Sequence, residues 1–469
     1  MNIVQTIAKE TKNHLYHNAV IDGDKIITYA QLLEVVDKTS RALKKLGVTR
    51  FNRVALLCDD RIDYIIISLA VLKLYAVIVP VPFGAAQDEI DILLKDIKTN
   101  FLIFEEGSYP QKNAQSIAEK LLITKLKVKG KVAADFYKIN PAFIRFSSGT
   151  TGTNKGVVLS HKSILERTEA ANQGLKIKPG EQIIWVLSMS FHFVVTILLF
   201  LRRGATIILS SRNFPQDLLQ NLNCYQATFI YASPLHYHLL AALNVPKTSL
   251  AKVRLAISTA VKLPEAIAEK FSQKFGFQLA ESYGIIEMGL PFTNTSGKIA
   301  KRGSVGKILP DYKIKILNPD EQRIGEILIK GKGIFDAYFY PWQLRQKALV
   351  GGWFNTGDLG RLDQDGYLFI LGRHKQVINF NGMKIFPFEI ESLLNTHPLI
   401  KESLVYGKPH PEYGQLPAAK IVLKNGNKTL DPQALREFCY RHLAPYKVPK
   451  EFEFLDSLPK TSSGKLKLL

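Results

Sequence analysis

The sequence predicts an α/β protein. A large N-terminal domain of parallel and mixed sheets with packed helices leads into a β-rich subdomain, and a small α+β domain closes the chain. Three observations point there. Strand-like and helix-like segments alternate up to about residue 300, the pattern of parallel strands joined by crossover helices. From about Gly303 the texture changes to alternation punctuated by turn residues. At Gly372 a strand-like run ends, the charged Arg373-His374-Lys375 follows, and a new α+β pattern begins. At 469 residues the chain exceeds one ordinary core, so 1–373 and 374–469 are the expected domains.

The elements follow in order. "TYAQLLEVVDKTSRALKKLGV" places Leu32, Val35, Val36, Ala42, Leu43 and Leu46 at helical spacing, and Gly47 is positioned to end the helix. "RVALLC" reads as a short buried strand, "DYIIISLAVLKLY" as a helix and "AVIVPV" as another strand. "FIRF" and "VVLSH" read as buried strands on either side of a polar loop. "WVLSMS", "ATIILS", "ATFIYAS" and "VRLAIS" are strand-like, with "PEAIAEKFSQKFG" helical beside them. "YKIKILNPDEQRIGEILIKG" alternates around turn residues and predicts antiparallel hairpins.

Composition narrows the function classes. A hydrophobic content of 46% describes a globular chain. The net charge of +21, from 62 basic and 41 acidic residues, fits nucleic acid, an anionic membrane or polyanionic small molecules. The lysines and arginines are scattered, with "KLKVKGK" the densest run, so a solvated basic surface is expected and a nucleic-acid face is not. Cys58, Cys224 and Cys439 are odd in number and lack metal-ligand or disulfide spacing, which predicts a reducing compartment. "MNIVQTIAKETKNHLYHN" lacks the apolar core of a signal peptide. The apolar runs Tyr64 to Phe83 and Phe193 to Leu201 are interrupted or too short for a membrane span. A cytoplasmic location with no transmembrane segment is expected.

The stretch "SSGTTGTNKG", Ser147 to Gly156, carries hydroxyls, glycines and one lysine between the two buried strands. Gly149, Gly152 and Gly156 permit backbone paths that Cβ atoms resist, and Lys155 adds charge, so the loop can cradle an anion such as phosphate. It does not fit the Walker spacing. Read alone, a solvated surface loop is the competing account.

The surrounding motifs carry a resemblance. "FSSGTTGTNKGVVLSH" resembles the phosphate loop of the acyl-adenylate-forming (AMP-binding) enzymes: acyl-CoA and aryl-CoA ligases, luciferases and peptide-synthetase adenylation domains. Asn154 stands where their loop usually has proline. "SFHF", "YGIIE", "GSVGKILP", "FNTGDLG", "LGRHKQVINFNGMKIFPFEIE" and "LPKTSSGK" then follow in the family's order over nearly the whole chain. The acyl-CoA and aryl-CoA ligases are the nearest group.

The resemblance implies roles. Ser147, Ser148, Gly149, Thr150, Thr151, Gly152 and Lys155 would hold the ATP phosphates. Tyr283 and Gly284 would meet adenine, with Ser258, Thr259 and Ala260 beside it. Asp358 would accept the ribose hydroxyls with help from Arg373. Glu287, and Thr150 with it, would hold Mg2+, where an oxygen ligand suits a triphosphate. Lys465 would be the catalytic cation inserted between carboxylate and α-phosphate. His192 would wall or gate the acyl pocket, among Phe191, Phe193, Val194, Met288, Gly289 and Leu290. Gly382 would line the pantetheine passage with Lys384 near it, and Lys375 would be the hinge of a mobile C-terminal domain. Without the resemblance Asp358 reads as a turn acid, Glu287 as a solvated loop acid, His192 as a packed core histidine and Lys465 as a frayed terminal lysine.

The implied reaction is ATP-dependent activation of a carboxylic acid to acyl-AMP, followed by thioester formation with coenzyme A. The phosphopantetheine of an acyl carrier protein is the alternative acceptor, and a non-catalytic nucleotide-binding protein is the alternative of another class. Amino-acid-activating members have aspartate where His192 stands, so a fatty or aryl acid is favoured. A homodimer is left open. Three departures mark the chain: Ile286 replaces the usual threonine, "STAVKL" puts Thr259 and Lys262 in place of Gly and Pro, and Lys467 stands where a basic Arg-type position follows the lysine motif.

Overall fold

The computed structural model describes residues 2–110, 113–147, 155–211, 213–381, 383–424 and 430–458. Its contacts divide the chain into two compact units, Met1–Lys313 with Ile329–Phe354, and Ile314–Leu328 with Asn355–Leu469. The 373/374 boundary expected from the sequence falls inside the second unit, which also takes up 314–328 and 355–373.

The first unit is α/β, as expected, and is built on two sheets. Among the described residues the first sheet has nine strands. Six central ones are parallel: Ala280–Ile285, Leu255–Ser258, Phe229–Ala232, Gln182–Trp185, Thr206–Leu209 and Asn18–Asp22. Their near-continuous β-branched runs suit a sheet covered on both faces. On one face Ile184, Ile208, Ile230 and Ala256 pack against Tyr237, Phe271 and Phe275 of flanking helices. Each fully buried ring contributes roughly 1.5–3 kcal/mol.

The second sheet also has nine described strands. Val77–Val81, Arg53–Leu57 and Phe101–Glu105 run parallel at its centre, and Pro141–Ser147 joins them in parallel. Pro141–Ser147 then pairs antiparallel with Lys155–Ser160, Ser147 opposite Lys155. Most of this hairpin's body is buried, and the intervening residues 148–154 lie outside the described residues.

Local chemistry explains the helices. Tyr29–Lys45 begins at a capping box in which Thr28 and Gln31 satisfy one another's free backbone N–H groups. Glu265–Phe275 ends on Gly276 in the left-handed region at φ +83°. Ile62–Lys73 is apolar nearly all round because nearly all of it is buried. Two readings change. "WVLSMS" is strand only to Trp185, since Met189–His192 is already helical. Phe193–Ile197 forms a π-helical turn before the α-helix Leu198–Arg202, both inside the core. No helix among the described residues is long and apolar enough to cross a membrane. Cys58 and Cys439 are buried, Cys224 is exposed, and all three are free.

The second unit carries most of a four-stranded sheet, in the order Tyr312–Leu317, Gly325–Gly331, Phe354–Leu362 and Leu368–Arg373. Its other sheet is led by the long hairpin Ile400–His410 and Gly414–Leu423, with Ile378–Phe380, Met383–Ile385 and Glu451–Phe454 alongside. Ile390, Leu394, Leu435 and Cys439 bring the helices Pro387–Leu394 and Pro432–Tyr440 onto that sheet's core.

Candidate active site

In the first unit the predicted residues gather along the carboxyl ends of the parallel strands, where open α/β sheets bind ligands. Trp185, Tyr231, Ser258 and Glu281 end or continue successive strands. The Trp185 and Tyr231 rings stack with centroids 5.9 Å apart, and the His192 ring meets them edge-on at 6.1 and 6.4 Å. His192 is therefore half-buried against aromatic walls instead of being enclosed in core. Phe193 is buried, with its ring against Tyr64 at 5.7 Å, whereas Phe191 is half-buried. The indole Nε1 of Trp185, the hydroxyl of Tyr64 and Oγ of Ser258 are buried without a hydrogen-bond partner among the described residues.

The segment expected to meet adenine is tightly built. Thr259 Oγ1 accepts from the Tyr231 hydroxyl at 3.4 Å, and Ala260 holds φ +73°, a left-handed conformation costly for a residue with a Cβ. Tyr283 lies half-buried in its strand, 6.2 Å from the Phe292 ring. Gly284 is required by its own hairpin, because a Cβ there would stand 2.5 Å from the Gly289 carbonyl oxygen. Glu281, two residues before Tyr283, accepts from the Gly303 N–H at 3.0 Å, and burial raises its carboxyl to about 7. Met288 is fully buried, and its carbonyl accepts from the Tyr312 hydroxyl at 3.1 Å. Gly289 follows at φ +87°.

At the open end of the Pro141–Ser147/Lys155–Ser160 hairpin, Lys155 Nζ lies 4.7 Å from the centroid of the Tyr338 ring. The Tyr338 hydroxyl donates to Glu287 Oε1 at 3.4 Å, and burial followed by the charge of Glu287 pushes that phenol upward. The fully buried Arg167 fixes this corner. Its Nε and Nη2 donate to the Gly333 carbonyl at 2.9 and 2.7 Å, and its Nη1 to the Ile286 carbonyl at 2.9 Å. Burial lowers its pKa to about 10. A cation and a carboxylate thus both meet Tyr338, one at its ring and one at its hydroxyl, a set suited to a triphosphate and a divalent ion. Of the loop, Ser147 ends its strand, whereas Ser148, Gly149, Thr150, Thr151 and Gly152 lie outside the described residues.

In the second unit, the antiparallel pairing of Phe354–Leu362 with Leu368–Arg373 sets Asp358 directly opposite Arg373. Arg373 Nε stands 2.8 Å from Asp358 Oδ1, and its Nη1 donates to the Thr356 carbonyl at 2.9 Å. Asp358 is buried, a position unlike that of a solvated turn acid. Lys375 is exposed in a short 3-10 turn, and Lys384 Nζ lies 3.7 Å from Asp320. Gly382 and Lys465 lie outside the described residues.

Several residues at these sites escaped sequence reasoning. Arg145 donates from Nη1 to the Phe191 carbonyl, and Asp60 accepts from the Met189 N–H at 2.6 Å, with burial raising its carboxyl to about 7. The charged residue inside "FIRF" was the one available signal for Arg145. Arg167, Tyr338, Trp185 and Tyr231 meet the site only through folding.

Comparison with known proteins gives a consistent picture. The AMP-binding enzyme family matches residues 7–339, and the AMP-binding enzyme C-terminal domain matches residues 389–465. The chain is 28% identical to the 2-succinylbenzoate–CoA ligase of Bacillus subtilis, over 96% of this chain and 93% of that protein. It is also 28% identical to that organism's long-chain-fatty-acid–CoA ligase, over 94% and 89%. Among solved structures, the o-succinylbenzoate CoA synthetase of Bacillus subtilis in complex with its acyl-adenylate intermediate superimposes with a TM-score of 0.86. The identity is 27%, covering 99% of this chain and 96% of that one.

Proposed function

The chain belongs to the AMP-binding enzyme family, and from that premise we propose that it is an AMP-forming acid–thiol ligase. A carboxylate oxygen attacks the α-phosphorus of ATP, giving acyl-AMP and releasing pyrophosphate. The thiol of coenzyme A then attacks the acyl carbon, giving a thioester and releasing AMP. The observation that carries this reading is the Lys155–Tyr338–Glu287 cluster at the mouth of the phosphate-loop hairpin, in a chain similar to CoA ligases over nearly its whole length.

Each residue has a task in this reading. Lys155 and the loop 147–152 hold the β- and γ-phosphates, where a preorganised cation costs no reorganisation during reaction. Asp358 accepts from the ribose hydroxyls while Arg373 fixes its carboxylate. Tyr283 presents its ring to adenine, and the unpartnered Ser258 Oγ is a hydroxyl available to the adenosine. Glu287, with Thr150, would hold Mg2+, which when bound neutralises phosphate charge. Lys465 stabilises charge on the transferring groups, Lys375 is the hinge between residues 1–373 and 374–469, and Gly382 keeps the thiol path clear with Lys384 beside it. His192, Phe191, Phe193, Met288 and Gly289 shape the acid pocket, whose aromatic lining suits a fatty or aryl acid. The relatives act on acids as unlike as a long-chain fatty acid and 2-succinylbenzoate, so similarity leaves the acid open. We place the enzyme in the cytoplasm, where ATP and coenzyme A are both at hand.

The test is carboxylate-dependent ATP–pyrophosphate exchange with a panel of fatty and aryl acids, run beside Lys465→Ala. Exchange by the parent and its loss in the variant are expected. Full exchange by Lys465→Ala overturns the role of that lysine, and no exchange with any acid overturns the function. Coenzyme A and a phosphopantetheinylated carrier protein, offered separately, identify the acceptor.

A further inference from the structure

We propose that Arg145 grips the carboxylate of the acid activated at this site, a role that rests on the ligase reading above. Arg145 lies on Pro141–Ser147, two residues before the phosphate loop begins. Its guanidinium is anchored on the acid side: Nη1 donates to the Phe191 carbonyl, and the guanidinium carbon stands 5.4 Å from the centroid of the Phe191 ring. Among the described residues the other edge of the fork is unused. Nε is buried without a partner, and Nη2 donates to nothing among the described residues.

No described carboxylate stands within ion-pair distance of Arg145. Glu287 acts on it only as a through-space charge, and the buried Arg167 adds a second positive charge nearby. A half-buried guanidinium whose Nε is enclosed without a partner, with one neutral acceptor on Nη1, carries a charge that an anion would complete. Burial accordingly lowers its pKa to about 10.

The free Nε and Nη2 form the edge that holds a carboxylate through two parallel hydrogen bonds. The anchor singles out the acid over the triphosphate. Phe191 precedes His192 and Phe193 in the acid pocket, whereas the phosphate loop has Lys155 as its own cation. In this arrangement Arg145 holds both carboxylate oxygens and leaves each a second lone pair, one of which is directed at the α-phosphorus.

The experiment compares the parent enzyme with Arg145→Gln and Arg145→Lys, using octanoate and benzoate as probes. In ATP–pyrophosphate exchange, Arg145→Gln should raise the KM for the acid roughly ten- to hundred-fold, the loss expected for a charge-assisted hydrogen bond. The KM for ATP should stay within about threefold, and Arg145→Lys should recover part of the loss because it keeps the charge without the fork. Thermal unfolding supplies a readout independent of turnover. Without ligand, Arg145→Gln should melt at or above the parent, and the upward shift that millimolar octanoate or benzoate gives the parent should vanish.

An unchanged acid KM in Arg145→Gln overturns the proposal while leaving the ligase reading intact. So does a rise confined to the KM for ATP, or a lower melting temperature with acid and ATP affinities reduced alike. If the parent exchanges with neither acid, the ligase reading fails for these probes and the melting arm decides separately. A carboxylate-induced shift present in the parent and absent in Arg145→Gln upholds the anion site, and no shift in the parent overturns it.

Discussion

Replacing Glu281 with glutamine should stabilise the first unit at pH 8 and barely affect it at pH 5. Burial raises the Glu281 carboxyl from 4.5 to about 7, opposed by the Gly303 and Leu263 backbone N–H groups and by the charge of Lys262. The native state therefore binds more protons than the unfolded state between pH 4.5 and 7, so stability falls as pH rises through that window. Favourable below 4.5, the carboxyl carries its full penalty above about 7. At 1.36 kcal/mol per pKa unit, the cost is about 3 kcal/mol at pH 8 and under ~1 kcal/mol at pH 5. Glutamine keeps an acceptor for the Gly303 N–H and has no charge to desolvate. The assay is urea unfolding followed by intrinsic fluorescence, since Trp185, Trp342 and Trp353 all lie in the first unit. Equal differences between Glu281→Gln and parent at pH 5 and pH 8, or a less stable variant at pH 8, would refute the reasoning.

Asp358→Ala removes the carboxylate opposite Arg373 and should raise the KM for ATP at least about tenfold, measured by exchange at saturating acid. A calorimetric titration with AMP should show the same loss. Gly284→Ala drives a Cβ toward the Gly289 carbonyl oxygen and should cost about 1–3 kcal/mol of stability, read as a lower melting temperature with weaker AMP binding. Tyr338→Phe removes the hydroxyl that donates to Glu287 and should raise the Mg2+ concentration for half-maximal exchange by roughly two- to tenfold. Chelation with EDTA should stop exchange in parent and variant alike, and added Mg2+ should restore it.

Much of the fold was legible in the sequence because its strands and helices announce themselves through local periodicity. The glycine stop expected at Gly47 depends only on neighbouring residues, and the helix Tyr29–Lys45 ends just before it, with Gly47 at φ +90°. The end of the Gln182–Trp185 strand was misread because Val186 and Leu187 continue the apolar run, while the short helix Met189–His192 has too few residues to show a period. At the site, the family resemblance named Glu287 and Asp358 but not the contacts that set their chemistry. Tyr338 lies about fifty positions beyond Glu287, and no local pattern links them. The Asp358–Arg373 pair arises from hairpin register, which depends on how the two strands meet.

By itself, the sequence determined the alternation of strand and helix, the glycine-rich loop between two buried strands, and the order of motifs that identifies the family. Each is written in residues close together along the chain, where spacing alone limits backbone path and burial. Only the tertiary structure decided which charges are paired and which are not. Arg373 meets Asp358, whereas the half-buried Arg145 rests against a backbone carbonyl and the face of Phe191. The physical reason is that desolvation and ion pairing are set by every group packed around a charge. Those groups come from strands and helices far apart in sequence, so two arginines that look alike in the chain end with opposite electrostatic fates.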